Sequence, residues 1–149
     1  MPDALRERAL RALARREYTR QELASKLAPL AEGAEQLDAL LDHLTATGLL
    51  SDQRYANARL NSRARRFGDA RLALELRAKG VSEELVNTAL AVAEDELTRA
   101  QRVWQRRFGS QQTAAGNPVE RARQMRFLAA RGFSGETIRC VLRATLEDD

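Results

Sequence analysis

Leu76-Arg77-Ala78-Lys79-Gly80-Val81-Ser82 and Leu128-Ala129-Ala130-Arg131-Gly132-Phe133-Ser134 follow one pattern at an offset of 52 residues. Each gives Leu, two residues, a base, Gly, an apolar residue and Ser. The match runs on, with Glu84, Val86 and Leu90 corresponding to Glu136, Ile138 and Leu142. A helix that ends on a base suits the negative end of its dipole. Glycine then takes the left-handed cap conformation at little steric cost, and serine caps the helix that follows. Apolar residues four and eight positions after the serine fall on one helical face. Gly80 and Gly132 are therefore expected at positive φ. Leu76, Val86, Leu90, Leu128, Ile138 and Leu142 are expected to be buried at equivalent places.

A weaker copy opens the chain, Leu13-Ala14-Arg15-Arg16-Glu17-Tyr18-Thr19, followed by Leu23 and Leu27, with Glu17 where the others have glycine. Thr19 and Glu22 form a capping-box signature that predicts a helix start at Thr19. Leu37, Leu40, Leu41 and Leu44 share a face ended by Gly48, and Leu97, Ala100, Trp104 and Phe108 form another stripe. The pattern predicts nine helices, at 3–16, 19–28, 34–47, 52–66, 69–79, 82–91, 94–108, 118–131 and 134–146, with a polar loop from Gly109 to Asn117. Only three prolines interrupt 149 residues, and runs of alternating Val, Ile and Thr are absent, so strands are not expected.

The fold class is all-α. The helices divide into three tandem three-helix repeats, 1–50, 51–92 and 93–149. Short helices in threes bury little alone, so neighbours must stack, giving an elongated, curved array; a compact globule of the same helices is the alternative. Hydrophobic residues at 44% favour an ordered core over disorder.

Candidate chemistry is sparse. His43 is the only histidine and has no second soft ligand near it in sequence, a poor basis for a metal site. Cys140 is the only cysteine, so no intrachain disulfide forms and a reducing compartment fits. Phosphate-binding GxxxxGK and dinucleotide GxGxxG motifs are absent. The carboxylates Glu83, Glu84, Glu94, Asp95 and Glu96 sit near helix starts, where the dipole favours them. The reading is a non-enzyme without a cofactor. No apolar run suits a membrane span or a secretory leader, so a cytoplasmic protein is expected.

Charge is unevenly placed. Residues 1–53 carry seven basic and nine acidic side chains, residues 54–79 eight and two, and residues 80–149 ten of each. Within the basic middle, Arg59, Arg63 and Arg66 recur at i, i+4 and i+7, followed by Arg71, Arg77 and Lys79. Guanidinium groups donate paired hydrogen bonds to carboxylate or phosphate. These six residues form the candidate binding face, for an acidic protein groove or for DNA phosphates. The bland alternative is a solvated helix face.

Three stretches together resemble the RecX family: ALRALARREYTRQELASKL near the start, GLLSDQRYANARLNSRARRFGDARLALELRAKGVSEELVNTAL in the middle, and ARQMRFLAARGFSGETIRCVL toward the end. The resemblance runs from about Ala4 to Leu142 in the family's order. It implies modular three-helix repeats that bind the RecA recombinase, chiefly its filament on single-stranded DNA, lying in the filament groove. It implies inhibition of ATP hydrolysis, strand exchange and co-protease activity, a limit on filament growth, and no catalytic site. A monomer with at most weak direct DNA binding is expected. A helix-turn-helix DNA-binding regulator is one alternative, opposed by the negative charge of residues 1–53. A helical scaffold for another acidic partner is a second.

Overall fold

A computed structural model of the chain describes residues 2–109 and 117–147. All regular structure among these residues is helical: α1 (Pro2–Arg15), α2 (Arg20–Leu27), α3 (Ala34–Ala46), α4 (Asp52–Arg63), α5 (Asp69–Ala78), α6 (Glu83–Val92), α7 (Glu96–Phe108), α8 (Pro118–Ala130) and α9 (Gly135–Glu147), with a short 3₁₀ turn at Ala28–Leu30. Most of the predicted loop from Gly109 to Asn117 lies outside the described residues. At its far end Asn117 caps α8, accepting from the amides of Val119 and Glu120.

The glycine turns form as the sequence predicts. Gly80 has φ 88° and Gly132 φ 91°, and Gly48 joins them at φ 81°. All three turns have one hydrogen-bond pattern. The amide after the glycine reaches back five residues, Leu49 to Leu44, Val81 to Leu76 and Phe133 to Leu128, while the glycine amide reaches back three. This is the Schellman closure, which after Gly80 and Gly132 also pins the following apolar side chain against the last helical turn, whereas Leu49 after Gly48 stays exposed. Val81, Phe133, Leu44, Leu76 and Leu128 are all buried. Ser82 and Ser134 then cap α6 and α9, accepting from the amides of Leu85 and Thr137. Of the six expected core positions five are buried, and Leu90 is half-buried at the edge of the face on which α6 buries Val86 and Ala89.

The weaker first copy differs. Its turn joins α1 to α2, whereas Gly80 and Gly132 join α5 to α6 and α8 to α9. Counted in threes, the first copy is out of step with the other two. Lacking glycine, it uses no positive φ; its order comes from the capping box, with Thr19 and Glu22 each accepting the other's amide proton.

The chain forms two compact units. One comprises Met1–Arg59 and Leu76–Ala89, the other Leu60–Glu75 and Leu90–Asp149. The first holds a leucine-rich core of Leu5, Leu23, Leu27, Leu41, Leu44 and Leu50 with Ala9 and Ala12. The second holds Ala100, Leu128, Phe133, Ile138, Val141 and Leu142, with Trp104 packed against them. Trp104 donates its indole N–H to the buried Gln124 at 2.8 Å, satisfying a polar atom at the edge of that core.

Each unit contains a comparable joint. In the first, the Thr19 hydroxyl, fully buried, donates to the carbonyl of Lys79 at 2.7 Å, just before Gly80. In the second, the Gly68 amide donates to the carbonyl of Arg131 at 2.8 Å, just before Gly132. Thr19 and Gly68 each precede a helix, α2 and α5, so the carbonyl left over by one helix end is satisfied at the start of another.

Glu22 gathers charge at the first joint, accepting from Arg16 and standing 3.6 Å from Lys79. Burial alone would raise its carboxyl, but the Arg16 hydrogen bond, the Thr19 amide and the charges of Arg16 and Lys79 outweigh burial and hold it below the ordinary carboxylate value. A carboxylate lowered in the folded state adds stability that is complete above its ordinary value and is lost as pH falls through the lowered one. Glu22→Gln is therefore expected to lower the melting temperature at neutral pH, and the gap from the parent should narrow as acid protonates the Glu22 carboxylate. Thermal melts from neutral to acidic pH check this; parallel profiles for the two proteins would contradict it.

Candidate functional site

The six predicted basic residues are divided between the two units, Arg59, Arg77 and Lys79 in the first and Arg63, Arg66 and Arg71 in the second. Helix α4 stops at Arg63, and Ala64, Arg65 and Arg66 form a turn closed by the Arg66 amide on the Arg63 carbonyl. Arg66 is exposed but off the helix, so the predicted i, i+4, i+7 stripe is broken. Arg63 makes a two-pronged pair with Glu75, at 2.8 and 2.6 Å, and lies 4.4 Å from the Phe67 ring centroid. Arg71 lies 4.2 Å from the same ring and 3.7 Å from Glu75. These two arginines thus build a local cluster around Phe67. Arg77 is paired with Glu83, and Lys79 faces Glu22. Arg59 is half-buried.

The second unit concentrates positive charge elsewhere. Arg65 and Arg66 from the turn, Arg102, Arg106 and Arg107 from α7, and Arg131 at the end of α8 line one cleft of about 180 Å³. Its floor is apolar, formed by Val103 and Phe127. Arg102 pairs with Glu94 at the rim. That hydrogen bond, then the charges of Arg102, Arg99 and Arg65, hold the Glu94 carboxyl below its ordinary value against the effect of burial. The other five arginines have no carboxylate within salt-bridge distance among the described residues.

Arg99 explains why the turn faces α7. Its side chain is 1% exposed. It donates to the carbonyls of Glu94 at 2.8 Å, Ala64 at 3.2 Å and Phe67 at 2.7 Å, and to the carboxylate of Asp69. The two carbonyls on α4's side bracket Arg65 and Arg66, so one buried guanidinium holds the backbone whose side chains line the cleft. Gly68, through its bond to Arg131, ties the other end of the same turn. A second cavity, of about 410 Å³, lies in the first unit beside Arg16, Tyr18, Lys26 and Lys79, but Arg16 and Lys79 are committed to Glu22 there.

Arg102, Arg106, Arg107 and Arg131 are not evident from the charge of residues 80–149 as a whole, where ten basic and ten acidic side chains cancel. A narrower window finds them: residues 97–131 carry eight bases and one acid. Guanidinium groups gathered in excess of carboxylates, over an apolar floor, can grip carboxylate or phosphate oxygens through paired hydrogen bonds while an apolar group is covered beneath. No group of three or more His, Cys, Asp or Glu able to hold a metal occurs among the described residues. No helix among them is long and apolar enough to cross a membrane.

Comparison with known proteins places this architecture. Residues 51–90 match the family domain described as RecX, second three-helix domain, and residues 94–142 match RecX, third three-helix domain. The chain is 43% identical over 147 residues to the regulatory protein RecX of Herminiimonas arsenicoxydans, covering 98% of this chain and 95% of that one. The chain belongs to the RecX family. A second RecX, from Leptothrix cholodnii, is 47% identical over 141 residues, 94% of this chain and 88% of its relative. The crystal structure of RecX from Lactobacillus salivarius superposes with a TM-score of 0.84, covering 99% of this chain and 97% of that one, at 19% identity. At that identity the RecX match speaks for the fold alone: all-helical, built of three-helix repeat domains. The cleft draws on both matched RecX segments, with Arg65 and Arg66 in the second domain and Arg102, Arg106, Arg107 and Arg131 in the third.

Proposed function

We propose that this chain is a negative regulator of the RecA recombinase. It binds RecA and its filament on single-stranded DNA and inhibits ATP hydrolysis, strand exchange and co-protease activity, so that filament growth is limited. It does this in the cytoplasm as a monomer without chemistry of its own, using three repeats, 1–50, 51–92 and 93–149. The observation that carries the reading is an arginine-lined cleft on a RecX-family chain, with five of its six guanidinium groups left for a partner's anions. Of the face expected from sequence, Arg66 belongs to this cleft. Arg63, Arg71, Arg77 and Lys79 are partly neutralised by Glu75, Glu83 and Glu22.

The test is RecA's DNA-dependent ATPase with and without the protein. The expected result is a lower steady-state rate that recovers as salt is raised, since screening weakens charge-guided association. An unchanged rate at several-fold molar excess would overturn the proposal.

A further inference from the structure

We infer that the arginine cleft seats an acidic protein segment through one apolar anchor side chain placed on Val103 and Phe127, its neighbouring carboxylates held by the rim arginines. The inference deepens the regulatory reading by naming the chemistry of the partner. Three observations carry it.

The first is the uncompensated charge. Arg65, Arg66, Arg106, Arg107 and Arg131 converge on one cleft without an ion pair among the described residues, and Glu94 at the rim, paired with Arg102, offsets only part of their charge. Such a field favours a polyanionic partner and repels basic ones.

The second is shape. The cavity, about 180 Å³, is a short, partly open hollow with room for about one large side chain. A nucleic-acid strand tracking a basic surface needs a groove that follows its backbone.

The third is the state of the floor. Arg131 and Arg107 lie 5.1 and 5.7 Å from the Phe127 centroid, and Phe108 meets the same ring edge-on at 5.3 Å. Val103 has no π-face and Phe127 is the single aromatic ring lining the cleft, so successive bases find no stacking platform there, whereas one apolar side chain can pack on both residues. Carboxylates on either side of a buried anchor would meet planar guanidinium groups in the geometry of a paired hydrogen bond.

The test uses the full chain and three probes: a synthetic peptide with four carboxylates around one phenylalanine, the same peptide with alanine in its place, and an oligo-thymidylate of equal charge. Binding is read from the Val103 methyl signals in NMR titrations. The phenylalanine peptide should shift them and bind at least about tenfold more tightly than the alanine peptide, as expected for burying one large apolar side chain. The oligonucleotide should bind no more tightly than the alanine peptide. Arg66→Glu with Arg106→Glu should abolish the shifts; both side chains are exposed, and unchanged amide spectra elsewhere will report an intact fold. Equal binding of the two peptides would overturn the inference without relying on any variant. Tighter binding of the oligonucleotide, lost in the double variant, would make the cleft a nucleic-acid site and overturn it too. The titration contains no RecA, so its failure and a failure of the ATPase test are separate results.

Discussion

Arg99→Ala is expected to destabilise the protein by about 3–5 kcal/mol, the cost of breaking a buried, hydrogen-bonded charge. Against a total stability of about 5–15 kcal/mol for a domain, that brings the second unit close to unfolding. Alanine would strand the carbonyls of Ala64, Phe67 and Glu94, which the guanidinium now satisfies together. Asp69, whose side chain is 38% exposed, would regain water and so accounts for less of the loss. Arg99→Lys keeps a charge but cannot fork to several carbonyls, so it should fall between parent and alanine. Urea denaturation of the three proteins measures this. A loss under about 1 kcal/mol for alanine would show that the carbonyls find other partners.

Gly68→Ala should rank next. A Cβ at Gly68 would overlap the carbonyl of Gly132 and the amide of Phe133. Both are backbone atoms of the α8–α9 turn and cannot rotate away. The turn must move, and with it goes the Gly68 hydrogen bond to Arg131. The expected cost is at the upper end of the about 1–3 kcal/mol typical of overpacking. Gly80→Ala meets Gln21, whose amide end can swing aside but whose Cβ cannot, so some overlap adds to the cost of its positive φ, about 1–2 kcal/mol. Gly33 has open space around it and extended backbone, so Gly33→Ala serves as the neutral control. Thermal melts showing Gly68→Ala no worse than Gly33→Ala would refute the close approach.

The two predictions mark where sequence stops being sufficient. The turns at Gly80 and Gly132 were readable because a Schellman closure is local: the base, glycine, apolar residue and serine that it needs are adjacent in the chain. The leucine faces were readable for the same reason, since period alone places them. Leu90 falls at the edge of the face on which α6 buries Val86 and Ala89, and how far that face is covered depends on what lies opposite. The end of α4 at Arg63, not Arg66, follows from Arg99 drawing the Ala64 and Phe67 carbonyls away, a contact spanning more than 30 positions of sequence. Nothing local marks Arg99 as different from the other arginines of α7. Its burial is a tertiary fact, and with it the whole cleft. The acids that balance the charge of residues 80–149 sit mostly outside the stretch that builds the cleft, so a net sum of zero concealed it.

The cleft as the contact surface for RecA is the central claim, and one comparison tests it most directly. RecA's DNA-dependent ATPase is titrated with the parent protein, with the double variant Arg66→Glu and Arg106→Glu, and with Arg8→Glu and Arg11→Glu on α1. All four side chains are exposed, and the two variants change net charge equally. The account predicts that the cleft variant loses inhibitory potency by about tenfold or more while the α1 variant stays near the parent. Undiminished inhibition by the cleft variant, or an equal loss in both variants, would contradict it.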